Sequence, residues 1–170
     1  MAIEYAEGNI IEMFASGEHD ILIHGCNCFH TMGKGLALEI RKRWEQVYAD
    51  DLKTPYGDHE KLGTFRFVDI GNMQQVVNFY SQFRYGNKEV NINYAALERG
   101  LEHLGNMLDT HGMSDKRIIM PLIGSNNAGG DPIFIRQIIQ GTLGDHNVTV
   151  VQSFPKEVRD IIFVYNTALS

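Results

Sequence analysis

With 170 residues, 44% of them hydrophobic and 21% charged, the chain has the size and composition of one globular domain with a buried core. Its formal net charge of −6, with 15 Lys and Arg scattered along the chain, argues against a duplex-binding face. No apolar run reaches the ~18 residues of a membrane span and no basic, apolar leader is present, so a cytoplasmic protein is expected.

Residues 3–6 form a short predicted strand, and Asn9 opens a brief helical stretch. Residues 20–24 are an apolar run too short for a helix, which suits a strand buried on both faces. Gly25, Gly33 and Gly35 then turn the chain into a helix. Its apolar positions Leu36, Ile40, Trp44 and Val47 recur every three to four residues as far as Tyr48. Residues 54–63, with Pro, Gly and Asp, form a loop, and residues 64–70 and 75–79 are strands around a turn at Gly71-Asn72. After a polar loop at 84–89, Asn91 caps a long helix to about Thr110. Leu97, Leu101, Leu104 and Leu108 mark its inner face, and Gly112 stops it. Residues 117–122 are the next strand, 124–130 a second small-residue loop, and Pro132 starts a helix that reaches about Leu143. Residues 147–152 form the last strand.

Without internal repeats, low-complexity runs or a linker, the expectation is a single domain over 1–170, with a core at about 1–154 and a C-terminal extension at 155–170. Strands alternating with helices predict an α/β fold: a three-layer α/β/α sandwich with a mixed, mostly parallel central sheet. In such sheets ligands bind outside the carboxyl ends of the strands.

Two glycine-rich loops leave the carboxyl end of a buried strand and enter a helix. One runs from His24 through Gly33, Lys34, Gly35 and Leu36, the other from Met120 through Gly124, Ser125, Asn126, Asn127 and Gly130 to Asp131. Glycines let the backbone approach a ligand and turn its N–H groups inward, and a helix N-terminus adds partial positive charge. One such loop is most simply a tight turn; two at matching strand ends point to an anion site that needs no lysine. Neither loop is a Walker motif or G-x-G-x-x-G, which weighs against ATP hydrolysis and nicotinamide-cofactor binding.

Cys26 and Cys28 are separated by one residue, a spacing at which a mutual disulfide is strained, so reduced thiols are expected. With His30 they form C-x-C-x-H, which lacks the ligand spacing of structural zinc sites, so neither metal nor cofactor is expected. His24 ends a buried strand, where an imidazole is either a satisfied core group or a proton carrier. Asn27 places a polar amide just past that strand, where it needs partners. Asp131 either caps the helix that begins at Pro132 or orients a water at the mouth of the cleft. Phe79, Tyr80 and Phe83 are expected in the core and cleft wall, and Phe154 as a ring for stacking on a base.

The segment 21–37, with Gly8-Asn9-Ile10, Met120–Gly124 and Gly129-Gly130-Asp131, resembles the macro domains. The likeness is strongest to the branch containing ADP-ribose 1''-phosphate phosphatases and certain ADP-ribosyl-glutamate hydrolases, and it spans residues 3–151. It implies that Asn9 and Ile10 face an adenine, and that Asn27 bonds the distal ribose. It further implies that Gly33, Lys34, Gly35 and Leu36 line the diphosphate, and that Gly124, Ser125, Asn126 and Asn127 close over diphosphate and distal ribose. Phe154 would stack on the adenine. In the phosphatase-like members the histidine matching His24 is implicated in catalysis; with it, Asn27 fixing the ribose and Asp131 orienting a water make up the expected catalytic set. The glutamate hydrolases use a lysine after the central strand and an aspartate in the second loop, where this chain has Gln82 and Ala128. The resemblance thus implies a monomer that hydrolyses ADP-ribose 1''-phosphate. The alternatives are release of ADP-ribose from a modified protein or other macromolecule, or an ADP-ribose reader without turnover.

Overall fold

The computed structural model describes residues 3–86, 90–125 and 128–152. Among these, six strands form one sheet: β1 (Ile3–Glu7), β2 (Ile21–Cys26), β3 (Phe65–Gly71), β4 (Gln74–Tyr80), β5 (Arg117–Pro121) and β6 (Asn147–Gln152). Their order is β1-β6-β5-β2-β4-β3, parallel throughout except for the β3–β4 hairpin at one edge. The two positive-φ residues of that hairpin's turn are Asn72 and Met73, at +54° and +60°. The turn therefore sits one residue later than the expected Gly71-Asn72, and its hand matches the right-handed strand twist.

Successive residues of a strand face opposite sides of the sheet, and β2 shows how this builds two cores. Leu22 packs with Ile10, Phe14, Ile40 and Val47 from α1 (Ile10–Ala15), α2 (Gly35–Arg43) and α3 (Glu45–Asp51). Ile21 and Ile23 pack on the other face with Leu97, Leu101, Leu104, Ile135 and Ile139 from α4 (Tyr94–Thr110) and α5 (Pro132–Leu143). Each such side chain, fully buried, contributes roughly 1.5–3 kcal/mol. The result is a three-layer α/β/α sandwich with a mixed, mostly parallel sheet.

The structure corrects two helix boundaries. The helix expected over 36–48 is two helices, broken at Trp44, where φ is −134° and ψ 83°. Ile40 of α2 and Val47 of α3 both bury into one cluster, so the apolar period runs through the break without marking it. Trp44 sets its ring edge-on to Phe14, 5.5 Å between centroids. The cap of α4 is Asn93, whose Oδ1 accepts from the Ala96 N–H at 2.9 Å, and not Asn91. The Asn91 and Ile92 N–H groups both donate to the Ala128 carbonyl, which holds this stretch extended against the second loop and delays the helix.

The parallel strands bring the carboxyl ends of β1, β6, β5, β2 and β4 to one edge of the sheet. There the adjacent strands β2 and β5 feed helices on opposite faces, α2 on one and α5 on the other. Such a divergence opens a crevice between the two departing loops. No helix among the described residues is long and apolar enough to cross a membrane. The expected extension at 155–170 lies outside the described residues.

Candidate functional site

The first loop is held in place by its own polar groups. Asn27, only 8% exposed, donates from Nδ2 to the Thr31 Oγ1 at 2.6 Å and to the Thr31 carbonyl at 3.2 Å. Its Oδ1 accepts from the Phe29 N–H at 2.8 Å. Cys28 N–H donates to the Phe83 carbonyl, and Gly57 N–H to the Cys28 carbonyl. His30 takes a positive φ of 57°, an uncommon conformation for a residue with a side chain, and is clamped there. Its Nε2 lies 2.8 Å from the Thr54 carbonyl, and the Tyr48 hydroxyl donates to the His30 carbonyl at 3.0 Å. The loop ends at α2, whose N-terminus no side chain caps, whereas Asn9, Asn93 and Asp131 cap α1, α4 and α5. The first-turn N–H groups of α2 therefore remain free of a capping side chain, a ready anion-binding arrangement.

The second loop is shaped by glycine. Gly124 has φ +82°, and a Cβ there would lie 2.6 Å from Ile92 Cδ1. A Cβ on Gly130 would lie 2.9 Å from the Gly124 carbonyl oxygen, which accepts the Gly130 N–H at 2.7 Å.

Between the loops lie two chambers. The larger, about 770 Å³, is walled by His24, Asn27, Thr31, Gly33, Lys34, Gln82, Tyr85, Gly124 and Ala128 among others. The smaller, about 510 Å³, is walled by Gly8, Asn9, Ile10, Ser125 and Gln152. Gly35, Leu36, Pro121 and Leu122 line both, so the chambers meet along a shared wall. Lys34 lines the larger one, and backbone N–H groups at such a loop are donors suited to an anion.

His24 lies in the wall of the larger chamber and is 1% exposed. Its Nε2 bonds the Asn78 Oδ1 at 2.6 Å, and Asn78 Nδ2 donates to the Val47 carbonyl at 3.0 Å. Its Nδ1 is buried without a hydrogen-bond partner. Burial pushes the His24 pKa down to about 4, only partly opposed by the bond to Asn78. Burial also raises both thiols, Cys28 to about 11 and Cys26 well above its ordinary value, so both stay protonated and unreactive at neutral pH. No group of three or more His, Cys, Asp or Glu among the described residues could hold a metal ion.

His24, Asn27, Gly33, Lys34, Gly35, Leu36 and Gly124 therefore share one chamber, and Asn9 and Ile10 the other. Ser125 falls in the smaller chamber, and its hydroxyl donates to the Leu122 carbonyl at 2.8 Å. Asn9 both lines the smaller chamber and caps α1, accepting from Glu12 N–H at 3.2 Å. Asp131 caps α5 by accepting from Ile133 N–H at 2.9 Å and lines neither chamber. Phe79 and Tyr80 are wholly core, and Phe83 stacks on His59 at 3.4 Å; none of the three lines a chamber. Asn126, Asn127 and Phe154 lie outside the described residues.

Comparison with known proteins identifies the fold. No protein-family model matches the chain. An uncharacterized 17.5 kDa protein from the tk-vs intergenic region of Enterobacteria phage T4 is 33% identical over 151 residues, 86% of this chain and 91% of that one. A Bacteroides thetaiotaomicron protein of unknown function superposes with a TM-score of 0.73 at 27% identity, covering 90% of this chain and 99% of that one. The macrodomain of Mycobacterium tuberculosis DarG superposes at 0.69 with 19% identity, covering 89% of this chain and 98% of that one. Thermosipho africanus DarTG, solved in complex with ADP-ribose, superposes at 0.72 with 14% identity, covering 94% of this chain and 44% of that one. The chain belongs to the phage protein's family, and its fold is that of a macrodomain.

Two residues of this macrodomain's cleft and one buried behind it escaped sequence reasoning. Thr31, in the chamber wall and bonded to Asn27, is an ordinary loop threonine in the sequence. Tyr85 was passed over as part of a polar loop, yet it lines the larger chamber while 62% exposed. Asn78 did carry a signal, since it interrupts the apolar run Val76-Val77-Asn78-Phe79 and, being buried, must have partners.

Proposed function

We propose that this macrodomain binds ADP-ribose along the two-chamber cleft and hydrolyses the phosphate monoester of ADP-ribose 1''-phosphate. The adenine lies in the smaller chamber against Asn9 and Ile10. The diphosphate crosses the shared wall at Gly35 and Leu36, near the uncapped N-terminus of α2. The distal ribose enters the larger chamber between Asn27 and Gly124. The observation that carries the catalytic part is His24, a buried imidazole that lines that chamber, is neutral at pH 7 and has one ring nitrogen without a hydrogen-bond partner. A water attacks phosphorus and passes its proton to His24. The P–O bond to the ribose breaks, and the departing 1''-oxygen takes the proton, leaving ADP-ribose and inorganic phosphate. The ADP-ribose complex of the DarTG neighbour supports the ligand assignment. Purified protein is expected to release phosphate from ADP-ribose 1''-phosphate, and His24→Ala to do so about 100-fold more slowly. Equal rates for the two proteins overturn the assignment.

A second reading is favoured by the rim. Tyr85 and Tyr56 are 62% and 70% exposed, and both set ring edges against Phe29. An opening beside the distal ribose would admit a macromolecule carrying ADP-ribose, and the product would be free ADP-ribose. Gln82 and Ala128 in that chamber weigh against the Lys- and Asp-dependent route. Turnover of ADP-ribosylated protein with none of the phosphate monoester selects this reading. Tight calorimetric binding of ADP-ribose with no turnover of either substrate selects a reader.

A further inference from the structure

The amide that the family resemblance gives to the distal ribose is already engaged within its own loop. Asn27 Oδ1 accepts from the Phe29 N–H at 2.8 Å, and since that group can only donate, the two ends of the amide are fixed. Its Nδ2 has two hydrogens, and Thr31 supplies an acceptor for each, the hydroxyl at 2.6 Å and the carbonyl at 3.2 Å. One lone pair on Oδ1 is all that Asn27 keeps for a ligand. What it gives up passes to Thr31. A hydroxyl has one hydrogen to donate, and because Oγ1 receives the Asn27 N–H, its own hydrogen must leave in another direction. No acceptor among the described residues takes that hydrogen, and Thr31 is exposed and lines the larger chamber.

The place of Thr31 in the cleft narrows what its hydrogen can meet. The two chambers share Gly35, Leu36, Pro121 and Leu122, whereas Thr31 lines the larger chamber alone. With the diphosphate crossing at the shared wall, the oxygens that reach Thr31 belong to the far end of the ligand. A hydroxyl polarised by a donor behind it is a stronger donor in front, and an anionic oxygen gains more from it than a neutral sugar oxygen does. We propose that Thr31 is a ligand-binding residue that donates its hydroxyl hydrogen to a non-bridging oxygen of the 1''-phosphate, its direction set by Asn27 behind it. This rests on the functional reading above, and it names the side chain that tells the phosphate monoester from its product.

Displacement of a fluorescent ADP-ribose from the full chain, followed by stopped flow, reads the affinities of ADP-ribose 1''-phosphate and ADP-ribose before turnover. The wild type is expected to bind the phosphate monoester more tightly. Thr31→Val removes the hydroxyl at nearly constant volume, and is expected to weaken the monoester about 10-fold or more and ADP-ribose by less than about threefold. Thr31→Ser keeps the hydroxyl and is expected to keep the wild-type ratio of the two affinities. A loop damaged in general loses both ligands alike, so an equal loss in Thr31→Val overturns the proposal, as does no loss with either. If Thr31→Val does not fold, a wild type that binds the monoester no more tightly than ADP-ribose overturns it. An unchanged ratio in Asn27→Ala overturns the part given to Asn27. Wild-type release of phosphate together with an unchanged ratio in Thr31→Val brings down this inference alone. Binding of both ligands without phosphate release brings down the catalytic reading, and the ratio still decides the part of Thr31. Binding of neither ligand brings down both.

Discussion

The two loops that frame the cleft reach the same end by opposite means. The first is fastened by side chains: Asn27 to Thr31 and Phe29, His30 to Thr54, and Tyr48 to His30. The second has one such bond, Ser125 to the Leu122 carbonyl, and depends chiefly on the absence of side chains, since Gly124 and Gly130 sit where any Cβ would strike Ile92, Ile135 or backbone. One loop can be weakened by deletion of a polar group, the other by addition of a single carbon. Each way of holding a backbone against an anion leaves its own mutational signature.

The sharpest break in this comparison is Gly124→Ala. It adds a methyl group against Ile92 and forces a residue with a side chain to φ +82°, at an expected cost of about 3 kcal/mol. Denaturant unfolding measures it, and a change below about 1 kcal/mol would show that the second loop yields easily. ADP-ribose affinity should fall with it.

Acid should act through the strand that carries the first loop, because the described residues of the second loop, 121–125 and 128–130, include no titratable side chain. His24 titrates near 4 in the fold and near 6.5 in an unfolded chain. Between those values the unfolded state binds more protons, so stability is full above about pH 6.5 and falls as pH drops toward 4. The loss is on the order of 3 kcal/mol. The drop between unfolding curves at pH 7 and pH 4 should be larger in the wild type than in His24→Leu by about that amount, since the depressed His19 and Asp20 contribute in both. The same neutral ring should keep turnover active down to about pH 4–5, whereas a histidine of ordinary pKa would lose it near 6.5.

Asn27→Ala should cost about 1–2 kcal/mol, because the Phe29 N–H and the Thr31 hydroxyl lose their partner. ADP-ribose binding should weaken by a comparable amount, with an affinity about tenfold lower by calorimetry. A stability loss with unchanged affinity would make Asn27 a loop fastener alone. The smallest effect belongs to Asn9→Ala: about 1 kcal/mol of stability from the lost cap of α1. ADP-ribose should bind several-fold more weakly and ribose 5-phosphate as before, and equal weakening of both would remove Asn9 from adenine recognition.

Strand and helix order followed from apolar runs and periods because burial on two faces leaves no other pattern for β2, β5 and β6. The break at Trp44 was hidden, since two helices burying into one cluster keep a common period. Asn93 was passed over for Asn91 because both precede the same apolar stripe, and only the bonds of Asn91 and Ile92 to Ala128 distinguish them. The loop glycines Gly33, Gly35 and Gly124, visible in the sequence, all line the larger chamber. The partners of His24 could not be read along the chain, because Asn78 lies 54 residues away and Val47 meets Asn78 only through the packing of α3 on β4.

The wall common to both chambers, made by Gly35, Leu36, Pro121 and Leu122, has a consequence for ligand size. A molecule small enough for one chamber gains only that chamber's contacts, yet gives up its full translational and rotational freedom on binding. A two-headed molecule with a slim, flexible bridge surrenders that freedom once and fills both. AMP and ribose 5-phosphate, offered together, should therefore bind far more weakly than the same two halves joined through a diphosphate. Lengthening the bridge by one phosphate should forfeit most of the advantage, because the second head then no longer falls at its chamber. A cleft of this shape is expected to gauge spacing as much as to read chemical groups.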